Sequence, residues 1–419
     1  MKTAMRARPT SPNTSTPLQR QDAGPVSSEE HPARWAGVFA LSFGAFALVA
    51  SEFMPVSLLT PMAADLQVSE GAVGQGIAIS GLFAVLSSLS ISKLAGNLDR
   101  KTLLLGLTAL MCASGALIAL APGYLPFMIG RALIGVVIGG FWSMSAATAI
   151  RLVPTVKVPR ALAIVNGGNA LATVLAAPLG SYLGSIMGWR GAVFCLVPVA
   201  LLCLVWLWLS LPSLKVRQRP ITSGGVFAIF GALRNRPIAW GMAACGAFFM
   251  GQFTLFTYLR PFLETVTVID VTAISIVLLV LGATGVVGTI VIGRFLGPGL
   301  YRTLIIIPAL MALVAAVLVP FGSSFAAVVV LLGLWGLLST SAPVGWWSWV
   351  ANAMPNNAEH GGGLMVAVIQ TCIALGSTMG GLLFDAFGYQ STFLTSAAML
   401  ALAAILALAT LRATRQTAK

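Results

Sequence analysis

Charged residues are scarce in this sequence. Aspartate, glutamate, lysine and arginine make up only 8% of its 419 residues, whereas hydrophobic residues make up 58% and the mean hydropathy is +0.94. Soluble globular domains carry roughly 25% charged residues, so this composition excludes that class. We therefore expect a protein that is embedded in a lipid bilayer along most of its length.

Histidine and cysteine are also rare, with two and five residues respectively. His31 and His360 lie in polar segments outside the apolar runs, which leaves no histidine there for a metal site or a catalytic triad. The cysteines lie in apolar runs without the spacing of metal ligands: Cys112, Cys195, Cys203, Cys245 and Cys372. We predict no metal site, no cofactor and no enzymatic activity.

Long apolar runs dominate what the sequence does contain. Each is about 20 residues long, the length that crosses a roughly 30 Å hydrocarbon layer as a helix. Twelve runs follow one another, and we number them as spans 1 to 12: 35–59, 71–92, 103–121, 125–149, 161–187, 191–211, 237–259, 272–292, 303–321, 325–350, 364–387 and 391–411. The pattern predicts an all-α membrane protein with twelve transmembrane helices.

The net charge of +13 is distributed unevenly along the chain. If the amino terminus lies in the cytoplasm, 21 of the 24 lysines and arginines fall in cytoplasmic segments. This bias predicts that both termini face the cytoplasm. It also accounts for the positive charge without a nucleic-acid partner. We expect residues 1–34 to be a disordered cytoplasmic tail and residues 412–419 to be a short second one.

The spans form an internal repeat of two halves. A polar segment at 212–236 separates six spans at 35–211 from six at 237–411, and we interpret it as a cytoplasmic linker. Matched positions lie 200 residues apart: Glu52 and Gln252, Phe53 and Phe253, Pro61 and Pro261, Gly180 and Gly380, Gly188 and Gly388. Two similar six-helix halves with a binding site between them are typical of secondary transporters.

Two charged residues lie deep inside predicted spans, away from the span ends: Glu52 in span 1 and Arg131 in span 4. At 1.5 Å per helical residue they lie about 12 and 9 Å from the same membrane surface, so they can face each other. An unpaired charge in hydrocarbon costs ~2.5–3.5 kcal/mol on insertion scales, which argues against lipid-facing positions. Two interpretations remain open: a permanent buried ion pair, and a site where Glu52 takes up and releases a proton. The second half has Gln252 and a leucine at the matching positions, which favours proton coupling in the first half alone.

Three motifs resemble those of the major facilitator superfamily, in particular its twelve-span drug:proton antiporters. The stretch SEFMPVSLLTPMAADL at 51–66 resembles the first-span signature, and RALIGVVIGG at 131–140 resembles the fourth-span motif. APLG at 177–180, followed by GWR at 188–190, resembles the fifth-span motif that the family associates with exchange. The resemblance covers about residues 35–411.

The resemblance implies an antiporter that works by alternating access. Glu52 and Arg131 would couple protons to transport, and Pro178 and Gly180 would take part in the conformational change. The loop between spans 2 and 3 keeps only part of the family motif, as Asp99-Arg100-Lys101. For Asp99 and Arg100, a role in gating and a simple role in setting the topology stay open as alternatives.

Longer stretches resemble the purine ribonucleoside efflux pumps of bacterial inner membranes, among them GGFWSMSAATAIRLVP at 139–154 and GQFTLFTYLRPF at 251–262. A purine nucleoside has a flat aromatic face and several hydrogen-bonding groups, so its site needs aromatic side chains and uncharged amides. Candidate substrate-binding residues of these types are Trp142, Asn166, Asn169, Gln252, Phe253, Phe256, Trp346 and Gln370. Helix packing is the alternative for the aromatic residues, and hydrogen bonding between helices is the alternative for the amides.

Taken together, these features predict a proton-coupled antiporter that exports purine ribonucleosides or close analogues. We expect it to act as a monomer, with protons and a small-molecule substrate as its partners. One alternative is an exporter of sugars or hydrophobic drugs. Another is a channel or a ligand sensor built on the same scaffold.

Overall fold

The computed structural model describes residues 1, 33–94, 98–154, 157–214, 231–296, 299–354 and 358–417. Most of the predicted amino-terminal tail and linker lie outside these residues. Within them the chain is helical throughout, apart from short turns and caps, and contains no strand.

The first half contains six membrane crossings. Its helices, with one 3-10 segment at Met54–Leu58, are Trp35–Phe53 and Leu59–Leu66 in span 1, Glu70–Leu94 in span 2, Arg100–Ala119 in span 3, Tyr124–Arg151 in span 4, and Val158–Phe194 with Leu196–Ser210 in spans 5 and 6. Among the described residues, one stretch of 51 residues, Arg160–Ser210, is about twice as long as one crossing needs. It bends at Gly188, so that its two arms form spans 5 and 6.

The second half follows the same order. After a 3-10 turn at Ala232–Arg234, its helices are Arg236–Phe256 and Leu259–Thr265 in span 7, Val271–Ile292 in span 8, Leu300–Phe321 in span 9, Phe325–Ala353 in span 10, Ala358–Phe387 in span 11 and Tyr389–Thr417 in span 12. Span 12 therefore continues through most of the segment that was predicted to be a tail. The predicted all-α fold with twelve transmembrane helices is confirmed.

The backbone repeats between the halves. Gly188 and Gly388 have φ angles of 74° and 76°, in the left-handed region that glycine adopts without a steric cost. Gln67 and Val268, which follow the first span of each half, also share a positive φ, of 54° and 55°. Spans 1 and 7 are each interrupted, by the 3-10 segment in span 1 and by a turn after Phe256 in span 7.

The halves meet along two pairs of spans, 2 with 11 and 5 with 8. Small residues allow the close approach. A Cβ atom added at Gly81 in span 2 would lie 3.0 Å from the carbonyl oxygen of Gln370 in span 11. A Cβ atom at Gly282 in span 8 would lie 2.8 Å from the Cα atom of Val174 in span 5. The interface between the halves is thus tightly packed at both pairs.

At one end of the bundle the halves are held together by polar contacts. We call this end, which carries residues 67–69, 266–270 and 388, the outer end, following the predicted orientation. Asp385 of span 11 accepts hydrogen bonds from the Ser69 Oγ atom at 2.5 Å and the Gly71 backbone nitrogen at 3.1 Å. The Tyr258 side chain of span 7 packs so closely on Gly74 of span 2 that no side chain fits there. The outer end is therefore closed in this conformation.

Candidate functional site

The site begins at the interruption of span 1, where Pro55 follows Glu52. Proline has no backbone N–H, so the Ser51 carbonyl lacks the helical donor that residue 55 would otherwise supply. The Arg131 Nη1 atom of span 4 takes that place and donates to the Ser51 oxygen at 3.2 Å. Pro55 thus leaves a carbonyl without its helical donor one residue before Glu52, and the buried Arg131 side chain donates to it.

Arg131 is completely buried and is held by neutral acceptors. Besides the Ser51 carbonyl, its Nε atom donates to the Gly76 carbonyl at 3.0 Å and its Nη2 atom to the Ser80 Oγ atom at 3.1 Å. Span 2 therefore supplies two of the three acceptors, which satisfies much of the hydrogen-bonding need of a desolvated guanidinium.

Glu52 and Arg131 do not form a salt bridge in this conformation. Within the described part of the chain, the ion pairs within 4.0 Å are Asp65 with Arg190 and Glu264 with Arg260. Arg131 nevertheless remains close enough to attract the Glu52 carboxylate. The permanent ion pair that the sequence left open as an interpretation is absent here.

Glu52 faces the second half instead. Its carboxyl group lies beside the side-chain amide of Gln370 in span 11, and each side chain is only 8% exposed. An amide presents both a donor and an acceptor, so Gln370 can bond either the charged or the neutral form of the carboxyl group. The contact connects the buried carboxyl group to the opposite half of the protein.

Three phenylalanines form an aromatic cluster across the two halves. The ring centroid of Phe53 in span 1 lies 5.9 Å from that of Phe253 and 6.4 Å from that of Phe256 in span 7, and the last two lie 6.0 Å apart. Phe253 and Phe256 were predicted site residues, whereas Phe53 was not. The signal for Phe53 was present, because the repeat aligns it with Phe253.

Two of the predicted substrate-binding residues carry buried polar atoms without a hydrogen-bond partner. Within the described residues, the Gln252 Oε1 atom and the Trp346 Nε1 atom are both buried and unpaired. Trp346 is 1% exposed and packs edge-on against Trp349, with ring centroids 6.0 Å apart. Unpaired buried polar atoms are uncommon in proteins and call for a specific explanation, such as a ligand.

The remaining candidate substrate-binding residues have local contacts. Trp142 is half-buried and packs edge-on against Phe141, with ring centroids 6.2 Å apart. Asn166 is exposed, and its amide donates to the Leu162 carbonyl one turn earlier at 3.0 Å. Asn169 is half-buried in the same helix. The structure therefore brings Glu52 beside Gln370 and joins the three phenylalanines across the halves, whereas Trp142 and Asn166 contact neighbours in their own half.

Asp99 caps span 3 and holds the start of the linker. Its carboxylate accepts from the backbone nitrogens of Lys101 and Leu214, both at 2.8 Å, and from the Ser213 hydroxyl. Desolvation by partial burial raises the pKa of Asp99, but these hydrogen bonds to the carboxylate lower it by more. The pKa of Asp99 therefore lies below its usual value. Its neighbour Arg100 reaches the Met144 Sδ atom at 3.2 Å. In this conformation these contacts lie within the first half and the start of the linker.

The fifth-span residues lie against span 1 and span 8. A Cβ atom at Gly180 would lie 2.5 Å from the Ser57 Oγ atom, so this glycine lets span 5 contact the interrupted part of span 1. Pro178 is buried within its helix and lines a groove between spans 5 and 8, together with Tyr182 and Ser275. Both residues therefore lie where span 5 contacts another span.

Comparisons with known proteins identify the family to which this fold belongs. A family model described as Major Facilitator Superfamily matches residues 41–377. The chain belongs to the major facilitator superfamily. The resemblance seen in the sequence motifs is thereby confirmed, and the family is one of transporters rather than enzymes.

Relatives within the superfamily carry two different names. The chain is 62% identical over 383 residues to "Transcription regulatory protein OpdE" of Pseudomonas aeruginosa, with 91% of this chain and 95% of the relative covered. It is 37% identical over 380 residues to "Purine ribonucleoside efflux pump NepI" of Salmonella typhimurium, with the same coverage of 91% and 95%.

Solved structures of the superfamily share the fold. The nucleoside transporter NupG matches with a TM-score of 0.75 at 13% identity, covering 89% of this chain and 98% of that one. A bacterial homologue of the human lysosomal transporter Spinster, in an inward-facing and unoccupied conformation, matches with a TM-score of 0.72 at 17% identity, covering 91% and 98%. At these identities the likeness supports the fold alone.

Proposed function

We propose that this protein is a proton-coupled antiporter that exports purine ribonucleosides or close analogues across the bacterial inner membrane. The observation that carries the proposal is the position of Glu52. It is a buried carboxyl group next to the interface of the halves, with a neutral amide of the other half beside it and no salt bridge that would lock its charge.

A carboxyl group in this position suits proton coupling. Ionisable groups inside membrane proteins are costly and commonly mark proton or substrate pathways. Moving one charge through the membrane potential supplies ~2.3 kcal/mol per 100 mV, which corresponds to about 50-fold accumulation of a neutral substrate. Glu52 would bind a proton from the outer side and release it to the cytoplasm as the halves rock about the bound substrate.

The predicted substrate-binding residues suit a nucleoside. The cluster of Phe53, Phe253 and Phe256 offers aromatic faces to a purine ring, and the unpaired Gln252 and Trp346 atoms offer an acceptor and a donor. The similarity to a protein named as a purine ribonucleoside efflux pump supports the same substrate class. Sugars and hydrophobic drugs are the competing substrates, and they would make less use of the aromatic and hydrogen-bonding groups together.

Transport by inside-out membrane vesicles tests the proposal. In vesicles with an acidic lumen, adding inosine or guanosine should release protons, which a pH-sensitive dye reports, and uptake should saturate with concentration. Matched additions of a sugar and a hydrophobic drug identify the alternative substrates. If no nucleoside releases protons, the proposed function is wrong. Flux that does not saturate would indicate a channel.

A ligand sensor is the second candidate function, because the relative with 62% identity is named as a transcription regulatory protein. A sensor would bind its ligand and change conformation without net transport. Equilibrium binding to the purified protein, measured together with vesicle uptake, separates the two. Binding with uptake supports the antiporter, and binding without uptake supports the sensor.

We further infer from the charge distribution that both termini lie in the cytoplasm. We also propose that the protein acts as a monomer. A green fluorescent protein fused after Lys419 should fluoresce, whereas alkaline phosphatase fused there should be inactive, because the first folds in the cytoplasm and the second needs the periplasm. The opposite pair of results would reverse the topology.

A further inference from the structure

Span 1 contains a second carbonyl that proline leaves free. Pro61 lies in the helix Leu59–Leu66 and has no N–H, so the Ser57 carbonyl lacks the donor that residue 61 would supply in a helix. The Nη1 atom of Arg260 in span 7 donates to this carbonyl oxygen. Arg260 belongs to the second half, so this hydrogen bond crosses the interface between the halves.

Arg260 is a buried cation at the outer end. It is 6% exposed, and its counter-ion is Glu264 one turn later, with 2.7 Å between the Arg260 Nε and Glu264 Oε1 atoms. A buried guanidinium must keep its donors satisfied, so it stabilises whichever arrangement gives it acceptors. In the closed outer end, one of these acceptors is supplied by the first half.

The second oxygen of Glu264 is available for a different arrangement. Within the described residues, the Glu264 Oε2 atom is buried and has no hydrogen-bond partner. Arginine can bond both oxygens of one carboxylate at once. The Nη1 atom that bonds Ser57 lies on the opposite side of the guanidinium from the Nε atom that bonds Glu264. If the Ser57 carbonyl moved away, the guanidinium would be free to turn and to present Nη1 and Nη2 together to both oxygens of Glu264.

We propose that Arg260 is the gating residue of the outer end, and that it alternates between the Ser57 carbonyl in the closed state and both oxygens of Glu264 in the open state. The proposal rests on alternating access between two halves. It does not depend on which substrate is exported or on proton coupling.

The arrangement also connects the gate to the candidate proton site. Arg131 and Arg260 each bond a carbonyl that a proline frees in the eleven-residue stretch from Ser51 to Pro61. Arg131 acts from within the first half, whereas Arg260 acts from the second half. If a change at Glu52 displaces this stretch, the Ser57 carbonyl that Arg260 bonds would move with it.

The test measures the opening of the outer end without substrate or a pH gradient. Nitroxide labels on Pro122→Cys and Ser323→Cys, in a full chain whose five native cysteines are replaced by alanine, report the distance between exposed outer loops of the two halves. Pulsed electron spin resonance then gives the distance distribution. We expect one short distance in the parent protein, because its outer end is closed.

Three variants should move this distribution in specified directions. Arg260→Gln should add a longer distance, raising the open fraction roughly tenfold or more, because it removes a hydrogen bond from a charged donor. Pro61→Ala should shift it in the same direction, because a backbone N–H at residue 61 competes for the Ser57 carbonyl. Glu264→Gln should favour the short distance, because the open state loses its bidentate acceptor.

Two further variants control for structural effects. Arg260→Lys keeps a charged donor and should restore much of the short distance, whereas Arg415→Gln at the other end of the bundle should change nothing. If Arg260→Gln does not fold, Pro61→Ala decides the matter. No shift in Arg260→Gln and Pro61→Ala would overturn the proposal, as would Glu264→Gln shifting in the same direction as Arg260→Gln. A failure of nucleoside export in vesicles would leave these distances, and this proposal, unaffected.

Discussion

The first half of the chain buries charge at positions where the second half has neutral side chains. Glu52 and Arg131 lie inside the first half, whereas the matching positions hold Gln252 and a leucine. The backbones nevertheless share local features, such as the φ angles of 74° at Gly188 and 76° at Gly388. Under the proposed function, the repeat supplies a scaffold common to both halves, and diverged side chains such as Glu52 confine proton exchange to the first half.

The largest effect is expected from neutralising the carboxyl group of the first half. Glu52→Gln should abolish uphill export, since about 50-fold accumulation per 100 mV depends on one coupled charge, while nucleoside exchange across the membrane should persist. Uptake and counterflow in the same vesicles measure both. Uphill export that survives the substitution would show that coupling lies elsewhere.

A swap between the halves sharpens this test. In Glu52→Gln combined with Gln252→Glu, the carboxyl group is moved to the second half, which has no arginine at the position matching Arg131. We expect no recovery of uphill export. Recovery would mean that the two halves are interchangeable for coupling and that their asymmetry is incidental.

The next largest effect concerns the aromatic cluster, to which both halves contribute. Stacking of a base on an aromatic side chain is worth ~1–3 kcal/mol, so Phe53→Leu and Phe253→Leu should each raise the KM for nucleosides about 5- to 150-fold. The control is Phe248→Leu, which changes a buried ring outside the cluster. Equal effects in all three variants would indicate loss of packing rather than loss of stacking.

Much of the fold was predictable because its signals are local. Hydropathy defines each membrane helix from its own residues, and the repeat shows itself in matched positions such as Gly188 and Gly388. The pairing of Glu52 with Arg131 by depth was also a local inference. That inference predicted that the two residues lie near each other. It could not specify whether the guanidinium would bond the carboxylate or the neutral Ser51 carbonyl.

The remaining features depend on how the halves meet. Nothing near Gln370 in the sequence indicates that its amide lies beside Glu52, because that contact joins spans 1 and 11. The same holds for the contact between Arg260 and the Ser57 carbonyl. Here a local signal was present, since Pro55 and Pro61 each leave a carbonyl without its helical donor, but only the tertiary structure identifies the arginine that fills each place.

A smaller effect should appear equally in both halves. Gly188 and Gly388 have positive φ angles, and nothing lies within 4 Å of a Cβ atom added at either one. Gly188→Ala and Gly388→Ala should therefore each cost only backbone strain, ~1–3 kcal/mol, and lower the melting temperature by similar amounts. Thermal unfolding in detergent measures this. Strongly unequal shifts would show that the two bends differ in function despite their shared geometry.

The smallest effect concerns the start of span 3, where the halves differ again. Asp99 caps this helix and bonds Ser213 and Leu214, whereas the matching residue of span 9, Gly299, has no side chain to form such a cap. Asp99→Gly makes the first half resemble the second. We expect it to cost ~1–2 kcal/mol through the lost hydrogen bonds, and to lower the melting temperature by only a few degrees.

The pH dependence of this effect has a definite sign. Hydrogen bonds to the carboxylate lower the pKa of Asp99 in the folded protein, against the opposing effect of desolvation by burial, so its contribution is complete above the unfolded value and is lost as the pH falls through the lower, folded value. The difference in melting temperature between the parent and Asp99→Gly should therefore be the same at pH 5 and pH 8. A difference that disappears at pH 5 would mean that Asp99 is protonated there and that its contacts with the linker are weaker than the structure indicates. In that case the loop between spans 2 and 3 would be free to release the linker during transport, as a gating role for Asp99 requires.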